Sequence, residues 1–529
     1  MPRKADRRDS SAPSAGGRPT LADWIAVAVL LSFIPILHDL KGMLTAPYWL
    51  DESWVALSVR FPLGDLAVTT ASTPIGWSLL LRLVPDPEYL RVVPLAFHGL
   101  SVGVAYALGR LVDWRTRRLG IVAGLVSGAA VLLLPAQQVR HDLKQYTADA
   151  AVTLGLLALT CWTERTMSRG RLGVLAAATG IGMLLSHLTA VAAVCVFAGL
   201  LLATAIRRRP SQLLEVTVAG LGAATIVAAV YFGFSAQARS ETMQQFWDSS
   251  FPEAGELPDY IAERADVLTP LLGVPALTLV VLFVAGALTL MLRGRTGSAT
   301  AVLLLPITAT VLGVLRVYPL LDPRTSHFLL VTGAAVGGIG VTGLVSALVG
   351  LVRHALPRTP PTVVTATICA VLVGVFAVNN SHWYRSDEDG PQLRYTPVTD
   401  VRSATEYVAK HRSTHDVVVV SHLAWYGFAF YSGGDELSLH APYGNTVGWW
   451  VDMPTRPDVV GVPSVDAASI RAALDRALEL AVQRGGARIW LIRSYVVGAE
   501  AEAWRSVLAD FRVEQVTDGV EPVVLISER

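Results

Sequence analysis

Residues 171–206, RLGVLAAATGIGMLLSHLTAVAAVCVFAGLLLATAI, run without a charged residue after the opening arginine. Arg165, Arg169 and Arg171 stand at the front of this run and Arg207, Arg208 and Arg209 close it. A helix needs about 20 apolar residues to cross roughly 30 Å of hydrocarbon, and this run is far longer than one crossing. Arginine gathers on the cytoplasmic side of membrane proteins. Two basic ends therefore place both termini of the run on the same side. The reading that satisfies length and charge together is a hairpin of two short spans turning at Ser186-His187. That turn also fixes the parity of everything after it; as one span, the run would put the C-terminal part of the chain on the opposite side.

The rest of the chain repeats the pattern. Of its 529 residues 52% are hydrophobic and 16% charged, with a mean hydropathy of +0.48. Soluble domains carry about 25% charged residues. Apolar runs of spanning length lie near 21–38, 88–111, 119–135, 146–163, 171–186, 188–206, 212–236, 268–292, 298–316, 327–351 and 362–379. In lipid each must satisfy its own backbone, so each is predicted to be a helix. Every second loop is basic, with Arg110, Arg115, Arg117 and Arg118, later Arg293 and Arg295, and finally Arg353 and Arg358. The loops between are acidic or mixed, notably Glu241 to Asp266. The expected architecture is a polytopic α-helical membrane protein of about 11 transmembrane helices, with a cytoplasmic N-terminus, in the cell membrane.

Residues 1–20 form a basic tail rich in Ser, Pro and Gly, read as disordered and cytoplasmic. The first apolar run is not closed by a small-residue cleavage site, so it is taken as an uncleaved helix. The membrane part is expected to occupy 21–380, and 381–398, with HWYRSDEDGP, a polar linker. Residues 399–529 change character: Asp416–Ser421 (DVVVVS), Arg488–Ser494 (RIWLIRS) and Pro522–Ser527 read as strands, and 399–411, 466–484 and 498–510 as helices. Such alternation predicts an extracytoplasmic α/β domain with a partly parallel sheet. No GxGxxG follows a strand and no internal repeat is visible. Cys161, Cys195 and Cys369 all lie in apolar runs, which suggests neither a disulfide framework nor a zinc site. Nothing calls for nucleic acid.

The first outer loop carries PYWLDESWVALSV, where Asp51 and Glu52 stand between Trp49 and Trp54. The residues after them fit an amphipathic helix lying on the membrane. A partly desolvated carboxylate there gains basicity and could take a proton from an acceptor hydroxyl. By themselves the two acids also fit solvated loop residues or a helix N-terminus. Other polar clusters fall at the same predicted boundary: Ser72–Leu81 (STPIGWSLLL), Arg140–Asp149 (RHDLKQYTAD), Ser186-His187 and Tyr318–His327 (YPLLDPRTSH).

Over roughly residues 20–380 the chain resembles the polytopic GT-C glycosyltransferases, which use polyprenyl-phosphate-linked sugars. It is most similar in appearance to the bacterial branch related to protein O-mannosyltransferases and lipid A aminoarabinose transferases. The resemblance rests on the acidic pair in the first outer loop, a Thr-Pro step into the next helical segment, and the Lys-Gln-Tyr-Thr-Ala-Asp stretch at 144–149. Ser72-Thr73-Pro74 departs from the His-Pro-Pro of many relatives. The resemblance implies Asp51 as the base with Glu52 in support, and Thr73 against the acceptor. Tyr146 and Asp149, at or just inside the fourth helix, fit a place in the pocket, with a helix-packing hydrogen bond as the alternative. A lipid-linked donor also presents a phosphodiester, which guanidinium and ammonium groups bind. Arg324 and His327 before the tenth span, and Arg140 and Lys144 before the fourth, are the candidates; headgroup contact by snorkelling side chains is the alternative for each. His141 and His187 fit structural roles better.

The expected activity is inverting transfer of a sugar from a polyprenyl-phosphate donor to a glycan, lipid or protein acceptor at the outer membrane face. No cofactor is called for, and a divalent metal at Asp51-Glu52 stays open. A flippase of lipid-linked glycans would need repeated halves and charged mid-membrane helices. An inactive assembly or binding protein of the same fold is a third reading. Trp425, Tyr426, Tyr443, Trp449 and Trp450 make the last domain rich in aromatic faces, suited to sugar binding, core packing or membrane docking alike.

Overall fold

A computed structural model describes residues 19–38, 40–70, 73–135, 142–238, 247–253, 255–352, 360–385, 400–432, 436–445, 447–486, 488–496, 498–518 and 522–528. Arg140, and the linker from 386 to 398, lie outside the described residues. Helices stand over the apolar runs, among them Val92–Leu111, Arg117–Leu132, Tyr146–Arg165, Arg169–Leu185, Thr189–Ile206, Pro210–Gly233, Thr296–Val314, His327–Leu351 and Pro361–Asn379. Among the described residues, six helices are long and apolar enough to cross a membrane, or seven if a bent pair counts as one span. The chain is a multi-pass membrane protein.

The run at 171–206 does break where expected. Its first helix ends at Leu185, Ser186 adopts an extended backbone, and the next helix starts at Thr189. His187 Nε2 meets Ser235 Oγ at 2.9 Å, a hydrogen bond that ties the turn to the segment just after the Pro210–Gly233 helix. The run at 268–292 corrects its reading as one span. Leu257–Leu272 and Ala276–Leu292 meet at 81°. Gly273 between them takes a left-handed φ of +68°, and Asn380 leaves no space there for a Cβ. Pro275 then caps the second helix, since proline cannot continue the first.

The basic loops converge at one end of the bundle. Arg165 and Arg295 both pair with Asp113. Arg110 and Arg117 reach Asp23 at 2.9 and 3.5 Å. At the same end, Glu164 accepts the backbone N–H groups of Gly297 and Ser298 at 2.8 Å each. It thereby satisfies orphan donors at the start of the Thr296–Val314 helix. The helices alternate in direction, so the loop helix Leu50–Ser58, Lys144 and Arg324 lie at the other end.

The C-terminal part packs onto that other end. Its strands are β1 (Val417–Val420), β2 (Ser438–His440), β3 (Trp450–Asp452), β4 (Val459–Gly461), β5 (Ile489–Ile492), β6 (Phe511–Gln515) and β7 (Val524–Glu528). The main sheet has the order β4-β1-β5-β7-β6, and β2 pairs with β3. β1 runs parallel to β4 and β5, while β5–β7 and β7–β6 are antiparallel. All four valines of β1 and all four residues of β5 are buried, as suits central strands covered on both faces.

Asp416 anchors this centre from below. Its carboxylate accepts Ser413 N at 2.8 Å, Arg488 Nη2 at 2.8 Å and Trp490 Nε1 at 2.9 Å. Burial works to raise its pKa, but these hydrogen bonds from Trp490, Ser413 and Arg488 outweigh it and hold the carboxyl well below the usual range. Its stabilising effect is therefore whole above about pH 4 and fades as the pH falls toward the lowered folded value. Asp416→Ala is expected to cost about 1–3 kcal/mol, chiefly from leaving the buried Trp490 N–H unmet, since Ser413 and Arg488 are exposed. Denaturant unfolding monitored by protease sensitivity of the sheet domain checks this, and the gap between variant and parent should narrow in acid.

The loop helix Leu50–Ser58 corrects the amphipathic reading. Every residue from Asp51 to Ser58 is buried, so no face lies open to water or headgroups. The sheet domain covers it. Trp54 meets Tyr426 edge-on at 6.3 Å and Phe61 meets Trp449 at 5.5 Å. Tyr431 Oη accepts Tyr48 N at 2.6 Å, and Arg402 reaches Glu88 at 3.2 Å. The aromatic residues of the last domain are thus largely core: Trp425 Nε1 donates to Val451 O at 2.7 Å and Tyr426 Oη to Trp449 O at 2.8 Å.

Candidate functional site

Asp51 and Glu52 occupy the first turn of the Leu50–Ser58 helix, where negative charge is favoured by the helix dipole. Successive helical residues point about 100° apart, and the two acids go separate ways. Glu52 turns inward. Arg91 Nε donates to its Oε1 at 2.8 Å and Arg91 Nη2 to its Oε2. Both side chains are fully buried. Asp51 faces the other way, onto two cations. Arg324 Nη1 donates to Asp51 Oδ2 at 2.6 Å, and Lys144 Nζ lies 3.3 Å from the same oxygen.

Each cation is held by its own loop. Asp322 Oδ1 accepts the backbone N–H groups of Arg324 and Thr325, each at 3.0 Å. Tyr318 Oη donates to Thr325 O at 2.9 Å and closes the same loop. Lys144 follows Asp142, whose Oδ1 accepts the lysine's own N–H at 3.0 Å. Trp77 Nε1 donates to Leu143 O at 2.7 Å. The Lys144 ammonium stands 5.0 Å from the Trp54 ring, and the Arg324 guanidinium 5.4 Å from that of Trp49. Such cation–π contacts hold a charge in place while leaving hydrogen bonds for a ligand.

Asp142 is the residue that reading by type missed. It is fully buried, and its Oδ2 lies 3.8 Å from Arg324 Nη1. Two carboxylates and two cations thus share one buried cluster. Burial alone would raise the pKa of Asp51, but the charges of Lys144 and Arg324 overcome it and hold Asp51 below its ordinary value. Asp142 moves the other way: burial pushes it up, Arg324 pulls it down, and the nearby Asp51 charge pushes it up again. A cavity of 360 Å3 opens on this cluster. The bundle contributes Asp51, Lys144 and Arg324 to its wall, and the sheet domain His422, Asn445 and Ser464.

The other expected residues fall elsewhere. Glu52 is spent on Arg91. Thr73 is buried and bonds Thr70 O at 2.5 Å and Ser78 Oγ at 3.0 Å. His327 is buried at the start of its helix and does not line the cavity. Asp149 is buried one turn into the Tyr146–Arg165 helix, beside Ser186. Tyr146 is buried at the start of that helix, within the electrostatic reach of Arg324. Because Asp51 and Glu52 diverge, they do not present a joint ligand set. Among the described residues no group of three His, Cys, Asp or Glu side chains could hold a metal ion.

This fold occurs in solved structures. The chain is similar to ArnT from Cupriavidus metallidurans bound to undecaprenyl phosphate, at 13% identity over 96% of this chain and 98% of that one, with a TM-score of 0.55. The apo form of the same protein matches at 14% identity over 95% and 97%, with a TM-score of 0.52. The oligosaccharyltransferase AglB from Archaeoglobus fulgidus, in complex with an inhibitory peptide and a dolichol-phosphate, matches at 10% identity over 89% and 69%, with a TM-score of 0.51. No curated protein matches the sequence. Fold and site together define a multi-pass membrane protein, helical in the bilayer with a sheet-containing C-terminal part, similar in fold to ArnT and AglB. The chain belongs to the family described as a family of unknown function (DUF6541), whose model matches residues 74–421.

Proposed function

We propose that the chain is an inverting glycosyltransferase that uses a polyprenyl-phosphate-linked sugar. The observation that carries this reading is the meeting of one buried carboxylate, Asp51, with two cations, Arg324 and Lys144, on the wall of a single cavity. In the proposed topology the apolar runs cross the membrane, the one at 268–292 only by its second helix, Ala276–Leu292, the N-terminus is cytoplasmic, and the cavity and sheet domain are extracytoplasmic. The basic loops at the far end of the bundle support that orientation. The proposed divisions are a tail to residue 20, a membrane part to 380, a linker to 398 and a sheet domain beyond.

The chemistry follows from charge. In the free protein Asp51 is neutralised by both cations and is a poor base. A donor phosphodiester entering the cavity competes for Arg324 and Lys144. Once they turn to phosphate, Asp51 keeps its burial but loses its counter-ions, and its basicity rises. It then takes the proton of an acceptor hydroxyl while that oxygen bonds to the anomeric carbon from the face opposite the phosphate. The bond from that carbon to the phosphate oxygen breaks, and its electron pair leaves on a polyprenyl phosphate monoester. Arg324 and Lys144 stabilise the charge that grows there, where electrostatic catalysis is largest. ArnT bound to undecaprenyl phosphate and AglB with dolichol-phosphate are neighbours in fold that hold such lipids.

Binding of undecaprenyl phosphate to the full chain in nanodiscs tests this. Arg324→Gln and Lys144→Gln are each expected to weaken it by about 10- to 100-fold, the weight of a charge-assisted hydrogen bond. Folded variants that bind the lipid as tightly as the parent would sink the assignment.

A further inference from the structure

The wall that the sheet domain gives the cavity has a chemistry distinct from the bundle's. Among the described residues, every Asp, Lys and Arg on the lining comes from the bundle. The opposite wall carries His422, 8% exposed. Its ring stacks on Trp450 at 5.5 Å and 14°, and Trp450 stacks in turn on Trp425 at 5.3 Å and 2°. This pile fixes the plane of the imidazole. The ring faces the backbone carbonyls of Val462 and Pro463, while Nδ1 has no hydrogen-bond partner among the described residues. Burial lowers the pKa of His422, with those carbonyls opposing, and a neutral ring whose Nε2 carries the proton accepts a hydrogen bond at Nδ1.

Trp54 lines the same cavity from the loop helix and is 5% exposed. Its Nε1 is a buried donor that likewise has no partner among the described residues. Leaving such groups unmet costs about 1–3 kcal/mol each, a cost that a ligand removes. Tyr495 also lines the cavity and holds a left-handed φ of +54°. For a bulky residue that is strain of about 1–3 kcal/mol, of the kind found at ligand sites.

We propose that this wall is the acceptor subsite and that it takes a neutral carbohydrate, with His422 Nδ1 accepting a hydrogen bond from one hydroxyl and Trp54 Nε1 donating to another. The inference rests on the transferase reading above. An unpartnered imidazole nitrogen and an unpartnered indole N–H on residues that line one cavity match hydroxyl groups, which both donate and accept. A phosphate or carboxylate on the acceptor would find no cation among the described residues of that wall. Tyr495, 41% exposed on the cavity lining, adds an aromatic surface suited to sugar C–H groups. The cavity volume lies within the roughly 300–1,000 Å3 usual for small-ligand sites.

The full chain in nanodiscs is titrated with neutral methyl glycosides (mannoside, glucoside, galactoside and arabinofuranoside) and with their phosphorylated counterparts, read by saturation-transfer NMR. Undecaprenyl phosphate binding is measured alongside. At least one neutral glycoside should bind saturably. His422→Phe keeps the stack but removes the acceptor, and should weaken that binding about tenfold. His422→Asn returns a polar atom near the place of Nδ1 and should recover most of it. The lipid should bind all three proteins alike. Should His422→Phe not fold, Trp54→Phe deletes the donor while keeping a ring, and the same loss is expected. No neutral glycoside binding, binding indifferent to these changes, or binding of phosphorylated sugars alone overturns the subsite. Undecaprenyl phosphate failing to bind the unaltered chain overturns the transferase reading instead.

Discussion

An Asp51→Asn protein should lose transfer by about 10²- to 10⁴-fold, the usual weight of a positioned general base, yet hold undecaprenyl phosphate more tightly than the parent. The two effects have opposite signs because Asp51 has two roles in the proposed cycle. It is the proton acceptor, which asparagine cannot be. It is also the anion that occupies Arg324 at 2.6 Å and Lys144 at 3.3 Å when no donor is present. Removing the charge frees both cations for phosphate. A purely structural aspartate would predict weaker lipid binding as its loops loosened. The measurement pairs lipid binding in nanodiscs with release of sugar from a synthetic undecaprenyl-phosphate donor. Full activity in a folded Asp51→Asn protein would remove the base from the scheme. Tighter binding with activity lost is the signature expected here.

How far the sequence alone leads can be judged from particular residues. The helices were legible because crossing a bilayer demands length and apolarity, and both are properties of contiguous residues. The turn at Ser186-His187 was legible for the same reason, with arginines marking both ends. Asp51, Lys144 and Arg324 could be singled out by type and by their place at the same predicted boundary. The resemblance alone gave Asp51 the base's role; the residues themselves did not divide Asp51 from Glu52. Which of two adjacent helical acids faces inward depends on Arg91, whose contact with Glu52 is set by packing between distant segments. Asp142 sat inside a quoted motif, but nothing local separates an aspartate between two cations from one in water. The interfacial reading of Leu50–Ser58 failed because its covering partners, Tyr426 and Trp449, come from far along the chain. The sheet domain's share of the cavity was hidden likewise, since its lining residues come from several separate loops. The bend before Ala276 was the exception: Gly273 and Pro275 stood in the run and could have marked it.

Arg91→Met should be the most damaging single change outside the cavity, costing about 3–5 kcal/mol of stability. Arg91 is fully buried and donates not only to Glu52 but to Met43 O at 2.9 Å, Ala46 O at 2.6 Å and Pro47 O at 2.9 Å. One guanidinium therefore pins the segment leading into the Leu50–Ser58 helix and balances that helix's inner acid. Methionine fills similar space but leaves a buried carboxylate without a counter-charge, and breaking one partner of a buried pair is far worse than removing both. The double variant Glu52→Leu/Arg91→Met should accordingly be more stable than Arg91→Met alone. It should remain below the parent, because three backbone carbonyls still lack their donor. Denaturant midpoints of the three proteins in nanodiscs measure this order. The double variant also separates the two acids: if Glu52 serves only to hold the loop, a folded double variant keeps its grip on undecaprenyl phosphate, since Asp51, Lys144 and Arg324 are untouched. A double variant as damaged as Arg91→Met would mean that the loss comes from the carbonyl contacts and not from the stranded charge.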